Sequence, residues 1–318
     1  MENRIKVVLL KNARIIFLLV MVILFSFVDE KYLTLSNMNV ILRQASLLAL
    51  LGLAQMIVIV TGQIDLSVGS TIALCTVTFA HMLKNKNIPF IIPALLIILT
   101  GAALGVLTGL IVTKLRIPAF IATFATSFAY RGAAWLLMGS SVVYDLPANF
   151  RVLGTGEVLG IPIIIVYEII IGFFVFILMK KTVLGKKAVF IGSNRKSAEY
   201  SGINCTKIII LVYMISSIIV AFTGVIYVAR LNTAEPSLGT SFALDSIATT
   251  LIGGTLIGGG RGSVSGTIIG AIIITTIKNG MNFMQISSEM QSLFMGTILI
   301  LAVFFNEIIA RELQKSDV

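Results

Sequence analysis

Residues 180–207, KKTVLGKKAVFIGSNRKSAEYSGINCTK, form a basic segment that separates two apolar blocks of the chain. The segment carries seven lysines and arginines against one acid, Glu199. The flanking blocks, 163–179 and 208–224, are each long enough to cross a hydrocarbon core of roughly 30 Å as a helix. Short loops that are rich in lysine and arginine stay on the cytoplasmic side of a membrane. We therefore predict that 180–207 is a cytoplasmic loop.

The middle of this segment, GSNRKSAEYSG, has the pattern of a small helix. Ser193 or Asn194 can cap its first free N–H groups, and Gly202 can take the left-handed conformation that ends a helix. A structured loop favours a surface that docks a partner protein. The alternative is a charge cluster that only sets the topology, because positive charge on the inner side needs no other purpose.

The composition is that of a membrane protein. Hydrophobic residues make up 57% of the chain and charged residues 12%, and the mean hydropathy is +1.03, whereas roughly a quarter of the residues of a soluble domain are charged. The net charge is +10, but the basic residues lie mostly in short loops, which indicates topology and contact with anionic lipid rather than nucleic acid. Cys75, Cys205 and His81 are too few and too scattered for a disulfide scaffold or a metal site.

The apolar runs predict an all-α, polytopic fold with about ten transmembrane helices, both termini cytoplasmic, and one domain over 1–318. The first run lacks a small-residue cleavage site after it, so it is predicted to be a retained helix. The longest predicted outer segment is polar and turn-rich, at 139–160. The predicted helices span about 15–28, 42–60, 68–82, 90–112, 118–138, 161–179, 208–229, a short eighth segment that ends in 251–266, 262–283 and 293–305.

Three features inside the apolar runs stand out. TGQIDLSVGS, at 61–70, reads as a capped entry into the third helix, with Asp65 as part of a gate as the alternative. LIGGTLIGGGRGSVSG, at 251–266, cannot favour regular helix, and such a break is tolerated at membrane depth only in a protein interior or along a cavity. Gly101, Gly105 and Gly109 lie on one helix face and predict close contact with a neighbouring helix.

Several classes of chemistry are disfavoured. The chain has no G-x-x-x-x-G-K-[ST] motif, so it is not a nucleotide hydrolase of the P-loop kind. An intramembrane enzyme would need clustered carboxylates or a Ser/His pair. Acids within the predicted helices are almost absent, and Glu168 and Arg131 can lie near the outer interface, which disfavours ion-coupled secondary transport. The function that fits these residues best is transport of a neutral polar solute through a helical bundle, with another chain supplying the energy.

Four segments carry a family resemblance: QIDLSVGS, the basic loop LGKKAVFIGSNRKSAEYSGINCTK, YVARLNTAEPSLGTSFALDSIA and LIGGTLIGGGRGSVSGTIIGA. In this order they resemble the permease subunits of bacterial ATP-binding-cassette importers for simple sugars, the ribose permease family. The resemblance covers the chain from about residue 37 to its end.

The resemblance implies a permease of the cytoplasmic (inner) membrane that dimerises with an identical or paralogous permease. It implies a cytoplasmic ATPase that holds ATP and Mg²⁺, an extracytoplasmic sugar-binding protein, and no cofactor on this chain. It makes 193–202 the coupling helix, with Ser193, Asn194, Arg195, Lys196, Ala198, Glu199, Tyr200 and Gly202. Pathway or gate candidates are Gln44, Gln55, Asp65, Ser67, Gly69, Gly254, Gly258, Gly259, Asn279 and Asn282.

The resemblance leaves the solute open. Relatives of this kind carry pentoses, hexoses, furanose sugars, sugar alcohols or a furanosyl autoinducer, and related permeases carry branched-chain amino acids. IDLSVG and the SGI loop are of the sugar type. The alternative function is a stand-alone secondary transporter or facilitator, which would need an ion-coupling residue that the sequence does not reveal.

Overall fold

The computed structural model of the chain describes residues 2–83, 89, 91–138, 142–144 and 146–316, with side chains from 14 to 304 except at 148 and 149. Parts of the predicted outer segment, 139–141 and 145, lie outside the described residues. Within these ranges the chain is all-α apart from two pairs of two-residue strands.

The described residues form thirteen α-helices and one 3-10 turn, Glu30–Leu33. Ten of the helices overlap the ten predicted segments, which confirms the all-α, polytopic fold. Five of them, α2, α4, α7, α10 and α12, are long and apolar enough to cross a membrane by length and composition. The helices are α1 Glu2–Ser26, α2 Leu35–Ile59, α3 Val68–Leu83, α4 Ile91–Lys114, α5 Ala119–Met138, α6 Ala148–Thr155, α7 Ile163–Lys181, α8 Val183–Ser193, α9 Arg195–Tyr200, α10 Cys205–Leu231, α11 Phe242–Ile252, α12 Val264–Phe283 and α13 Ser288–Ser316.

Helices α2 and α10 form the centre of the bundle. Helix α2 packs against α7, α10, α11 and α12, and α10 packs along the whole of α4. The predicted glycine stripe of α4 makes this last contact. A β-carbon at Gly105 would lie 2.8 Å from the α-carbon of Met214, and one at Gly109 would lie 2.9 Å from the α-carbon of Ile210. The small residues therefore let two backbones touch, as predicted.

Helices α3 and α11 begin inside the bundle. Gly69, in the first turn of α3, packs against the carbonyl of Gly239, three residues before α11. The guanidinium of Arg131 on α5 donates to the carbonyls of Pro236 and Leu238 and holds this approach segment in place. At about 1.5 Å per residue, α11 is far shorter than the hydrocarbon core. It is a half-length helix that starts within the membrane-spanning bundle.

The two ends of the bundle differ. We call the end that carries α8, α9 and the α4–α5 connection the basic end. At the opposite end, β1 (Val143–Tyr144) pairs with β4 (Thr233–Ala234), and β2 (Glu157–Val158) pairs with β3 (Ile161–Pro162). Helix α6 also lies at this end and packs on the last turns of α10 through Gly154. The sequence predicts turns over 139–160, where β1, α6 and β2 form, and a helix from 161, where β3 forms.

Candidate coupling surface and transport pathway

Helix α9 is short and has a defined start and end. The side chain of Asn194 accepts a hydrogen bond from the N–H of Ser197 at 3.0 Å, so Asn194 is the N-cap. Ile203 N donates to Ala198 O and Gly202 N to Glu199 O, with Gly202 at φ +76°. This is the Schellman pattern, which needs a left-handed residue at Gly202. The predicted small helix is therefore present.

The start of the helix corrects part of the prediction. Ser193 is not a cap: it is the last residue of α8, and its hydroxyl donates to Val189 O. The residues before it form a separate helix, α8, which Thr182 caps by accepting from the N–H of Gly185. Two helices joined at Asn194 thus replace one helix within a loop.

Helix α9 presents its charged and aromatic side chains to solvent. Ala198 is fully buried against the bundle, whereas Tyr200 is 90% exposed. Arg195 and Glu199, one turn apart, form an exposed ion pair at 3.1 Å, and Lys196 is exposed beside them. Because one apolar residue anchors the helix, the other side chains form an outward-facing surface.

A cavity of about 980 Å³ lies beside this surface. Its walls come from α9, from the loop after α2 and from the α4–α5 connection. Lys114, Arg116 and Arg195 give it a positive lining, with Glu199 as the acid. The basic end therefore carries a concave, charged surface that can receive a projecting acidic or polar element of a partner.

Three glycines join the end of α8, which leads into α9 at Asn194, to the bundle. Gly192, Gly62 and Gly259 meet, and a β-carbon at Gly192 would overlap the carbonyl oxygen of Val60. The N–H of Gly260 donates to the same carbonyl at 2.9 Å. The loop after α2 and the glycine-rich segment, both predicted to lie near a gate, are thus in direct backbone contact with the end of α8.

Gln55, Asp65 and Ser67 form one buried cluster. The side-chain amide of Gln55 is oriented so that its nitrogen donates to the backbone carbonyl of Asp65 and its oxygen accepts from the backbone N–H of Asp65, each at 3.2 Å. The carboxylate of Asp65 accepts from the hydroxyl of Ser67 at 2.6 Å and from its N–H at 2.8 Å. These contacts stabilise the turn into α3. This is the helix-entry role predicted for Asp65, to which a gate was the alternative.

The glycine candidates of 254–259 differ from one another. Gly254, at φ +81°, faces the guanidinium of Arg14 on α1, while Gly258 is exposed and has no heavy atom near its would-be β-carbon. Gly259, at φ +87°, lies against the backbone of Gly62 and Gly192. The segment is irregular, as predicted, and it packs on protein rather than forming a helix.

Asn279 and Asn282 do not form one site. Asn279 exchanges two side-chain hydrogen bonds with Asn37 on α2, at 2.9 and 3.1 Å. Asn282 is exposed and accepts from Gln291 on α13. Each asparagine therefore ties α12 to a different helix, although the two residues are three apart.

Sequence reasoning missed an ion pair within the bundle. Asp245 of α11 accepts from the ammonium group of Lys278 of α12 at 2.6 Å, and Asp245 is 5% exposed. The sequence of 229–245 predicts an outer loop that holds Asp245. Asp245 lies instead in α11, which begins three residues before it. A lysine in the apolar run of α12 was the available signal, since charges within membrane helices usually have partners and functions.

Two cavities share this ion pair. The first, of about 230 Å³, is lined by α2, α10, α11 and α12 and includes Gln44, another pathway candidate. The second, of about 300 Å³, lies between α11, α12 and α13. Among the described residues no group of three acids, histidines or cysteines is placed to hold a metal ion. The arrangement offers hydrogen bonds to a small polar solute.

Comparison with known proteins places the chain in a family. The family model described as "Branched-chain amino acid transport system / permease component" matches residues 37–303. The Bacillus subtilis ribose import permease protein RbsC is 35% identical over 294 residues, 91% of this chain and 90% of that protein. The Escherichia coli D-allose transport system permease protein AlsC is 33% identical over 282 residues, 89% and 86% of the two chains. The probable ABC transporter permease protein YphD of Escherichia coli is 31% identical over 300 residues, 93% and 89% of the two chains.

No solved structure matches the chain. The family match covers most of the sequence, and the similarity to each of these relatives extends along both chains. The chain therefore belongs to this family of ATP-binding-cassette importer permeases: it is a multi-pass permease subunit of the cytoplasmic membrane, and not the ATPase.

Proposed function

We propose that the chain carries a monosaccharide across the cytoplasmic membrane, driven by an ATPase that docks on α9. Two of the relatives described above are named as permeases for ribose and for D-allose. A further relative, 31% identical, is a galactose/methyl galactoside import permease protein. The family description names branched-chain amino acids instead. The similarity to three sugar permeases along nearly the whole chain supports the sugar branch.

The observation that carries the proposal is the connection between α9 and the bundle. Tyr200, Lys196 and the Arg195–Glu199 pair of α9 face outward. The adjoining end of α8 contacts the loop after α2 and 258–260 through Gly192. A force applied to α9 would reach both loops through backbone rather than through flexible side chains. This is what an external motor needs in order to move a gate.

The proposed orientation puts the basic end in the cytoplasm, in agreement with the excess of lysine and arginine there. The opposite end then receives the solute from an extracytoplasmic binding protein. A second permease subunit, identical or paralogous, completes the pathway in the membrane. ATP and Mg²⁺ belong to the partner ATPase, and this chain has no Walker motif of its own.

One observation favours a secondary transporter as the second candidate. Asp245 is a carboxylate within a membrane-spanning bundle, the type of group that couples transport to a proton or ion. However, its charge is already balanced by Lys278 at 2.6 Å. A paired carboxylate binds a proton or a cation less readily than a free one, so this observation is weaker than the docking surface.

Uptake of labelled ribose, allose and galactose by cells that express the complete importer tests the proposal. Deleting 195–200 should abolish uptake and leave membrane insertion intact, because the ATPase loses its contact surface. As a matched control, Tyr144→Ala removes an aromatic side chain that is 63% exposed at the opposite end. Normal uptake by the deletion variant, or uptake that persists when ATP is depleted and the ion gradients are kept, would contradict ATPase-driven transport.

A further inference from the structure

The ion pair of Asp245 and Lys278 lies deep in the bundle. Helix α12 begins at the basic end, and at about 1.5 Å per residue Lys278 is about 21 Å from Val264 along the axis. The hydrocarbon core is roughly 30 Å thick, so the pair lies within its third nearer the opposite end. Both charges are costly there, and such residues usually line a solute pathway.

The pair forms a wall between the two cavities described above. Asp245 and Lys278 line both the 230 Å³ cavity next to α2 and α10 and the 300 Å³ cavity next to α13. The remaining polar lining of the second cavity consists of Ser241, Ser288, Gln291 and Ser292. A solute that moved from one cavity to the other would pass the ion pair.

Hydrogen-bonding groups remain free in the first cavity. The carboxylate of Asp245 uses one oxygen, Oδ2, for both Lys278 and the hydroxyl of Ser241, and Oδ1 has no partner within the described part of the chain. The carboxamide of Gln44 makes no hydrogen bond to any residue that the structure describes, although it lines the same cavity. An acceptor and an amide are thus available on opposite walls.

The remaining walls are mostly aromatic and aliphatic, with Arg230 and Thr275 as further polar lining. The rings of Tyr227 and Phe242 lie 5.2 Å apart at 60° and border the cavity, together with leucines of α2. A monosaccharide has hydroxyl groups around its edge and C–H groups on its faces. It therefore matches a cavity with polar groups at a few points and rings along one side.

The volume agrees with a small solute. A water molecule occupies roughly 30 Å³ in the liquid, so 230 Å³ corresponds to about eight waters. This is the scale of one sugar ring and is below the usual range for drug-sized ligands.

We propose that Gln44, Asp245 and Lys278, with the rings of Tyr227 and Phe242, form a monosaccharide-binding site on the transport pathway, with the ion pair as the partition that the sugar crosses. The inference rests on the proposed function. Arg230 also lines the first cavity and adds a hydrogen-bond donor for the hydroxyl groups of the solute.

The test measures sugar molecules taken up per ATP hydrolysed, in proteoliposomes that contain the complete importer and labelled ribose, allose or galactose. A poorly folded variant lowers uptake and hydrolysis together, so the ratio reports the pathway. The double variant Asp245→Asn with Lys278→Gln leaves no unpaired charge and should still lower the ratio about tenfold. Gln44→Leu, which touches no ion pair, should lower it severalfold.

Glu157→Gln is the matched control, because it breaks the exposed ion pair of Glu157 with Arg43 and lines neither cavity. If the ion pair were purely structural, the double variant would take up the normal number of sugar molecules per ATP hydrolysed. A normal ratio in both the double variant and Gln44→Leu would overturn the proposed site. The proposed function itself is tested with the unmodified importer. If that importer took up labelled leucine and no sugar, the sugar assignment would be overturned before any variant is compared.

Discussion

At the residue scale, Gly192 limits what the coupling region can tolerate. A β-carbon there would overlap the backbone carbonyl of Val60 and come within 2.5 Å of the backbone nitrogen of Gly260. Because both neighbours are backbone atoms, neither can rotate away. The loop after α2 and the glycine-rich segment would have to move apart.

We expect Gly192→Ala to lower stability by about 1–3 kcal/mol, the usual cost of overpacking, and to reduce uptake. The measurement is the thermal midpoint of the purified protein in detergent, alongside sugar uptake. Gly132→Ala is the control, since no heavy atom lies within 4 Å of its β-carbon position, and it should leave both values unchanged or raise stability slightly. Equal midpoints for the two variants would show that the contact at Gly192 is not tight.

Single-residue predictions from the sequence were right where the reason was local. Gly202, and Asn194 as one of two cap candidates with Ser193, were identified from capping chemistry, which depends on a few neighbouring residues. Partners distant in sequence were not identified: the amide of Gln55 satisfies the backbone of Asp65, and Asn279 pairs with Asn37. A single sequence, read without an alignment of its relatives, contains no signal for such pairs.

At the element scale, the shape of α9 depends on its cap. The helix has six residues, too few to be stable from its own hydrogen bonds. The side chain of Asn194 and the Schellman end at Gly202 therefore fix its geometry and the direction of Tyr200. Loss of the cap should loosen the docking surface without disturbing the bundle.

We expect Asn194→Ala to cost about 1 kcal/mol locally and to weaken binding of the ATPase severalfold, with little change in the thermal midpoint of the bundle. Asn194→Asp and Asn194→Ser can both accept the hydrogen bond from Ser197 and should restore binding. The measurement is the amount of ATPase that co-purifies with each variant. Weak binding by all three variants would show that the amide itself, and not capping, matters.

Element boundaries in the basic segment and at the opposite end were harder to predict. Helix α8 is partly apolar and partly basic, so its residues also fit a continuation of the preceding membrane helix. Helix α6 has eight residues with a mixed pattern. Both are held by packing, α8 through Gly185 against Leu178 and Met179, and α6 through Gly154 against α10. Such tertiary contacts override local propensity.

At the scale of the whole molecule, two short helices, α3 with 16 residues and α11 with 11, give the bundle its character. Helices α3 and α11 both start where Gly69 meets Gly239, so irregular backbone lies at membrane depth. The sequence predicted ten helical segments in the observed order because their hydropathy is strong, and it did not predict α6 or a separate α8. It did not predict that the segment before α11 enters the bundle, since the segment is polar and resembles an ordinary loop.

The orientation of the molecule predicts a labelling pattern. Tyr200→Cys should react with a membrane-impermeant maleimide in inverted vesicles and not in intact cells, and Tyr144→Cys should show the reverse. The two native cysteines are buried and provide an unlabelled background. Labelling of position 200 from outside intact cells would place the basic end outside and exclude the proposed ATPase contact.

The most direct measurement is photocrosslinking from position 200 in native membranes, with a benzophenone amino acid in place of Tyr200. We predict an adduct between this chain and a protein with a Walker motif, which mass spectrometry identifies. The same probe at position 144, at the opposite end, should not give this adduct. If position 200 gives no adduct with an ATPase while the importer remains active, the proposal that α9 is the docking element is contradicted.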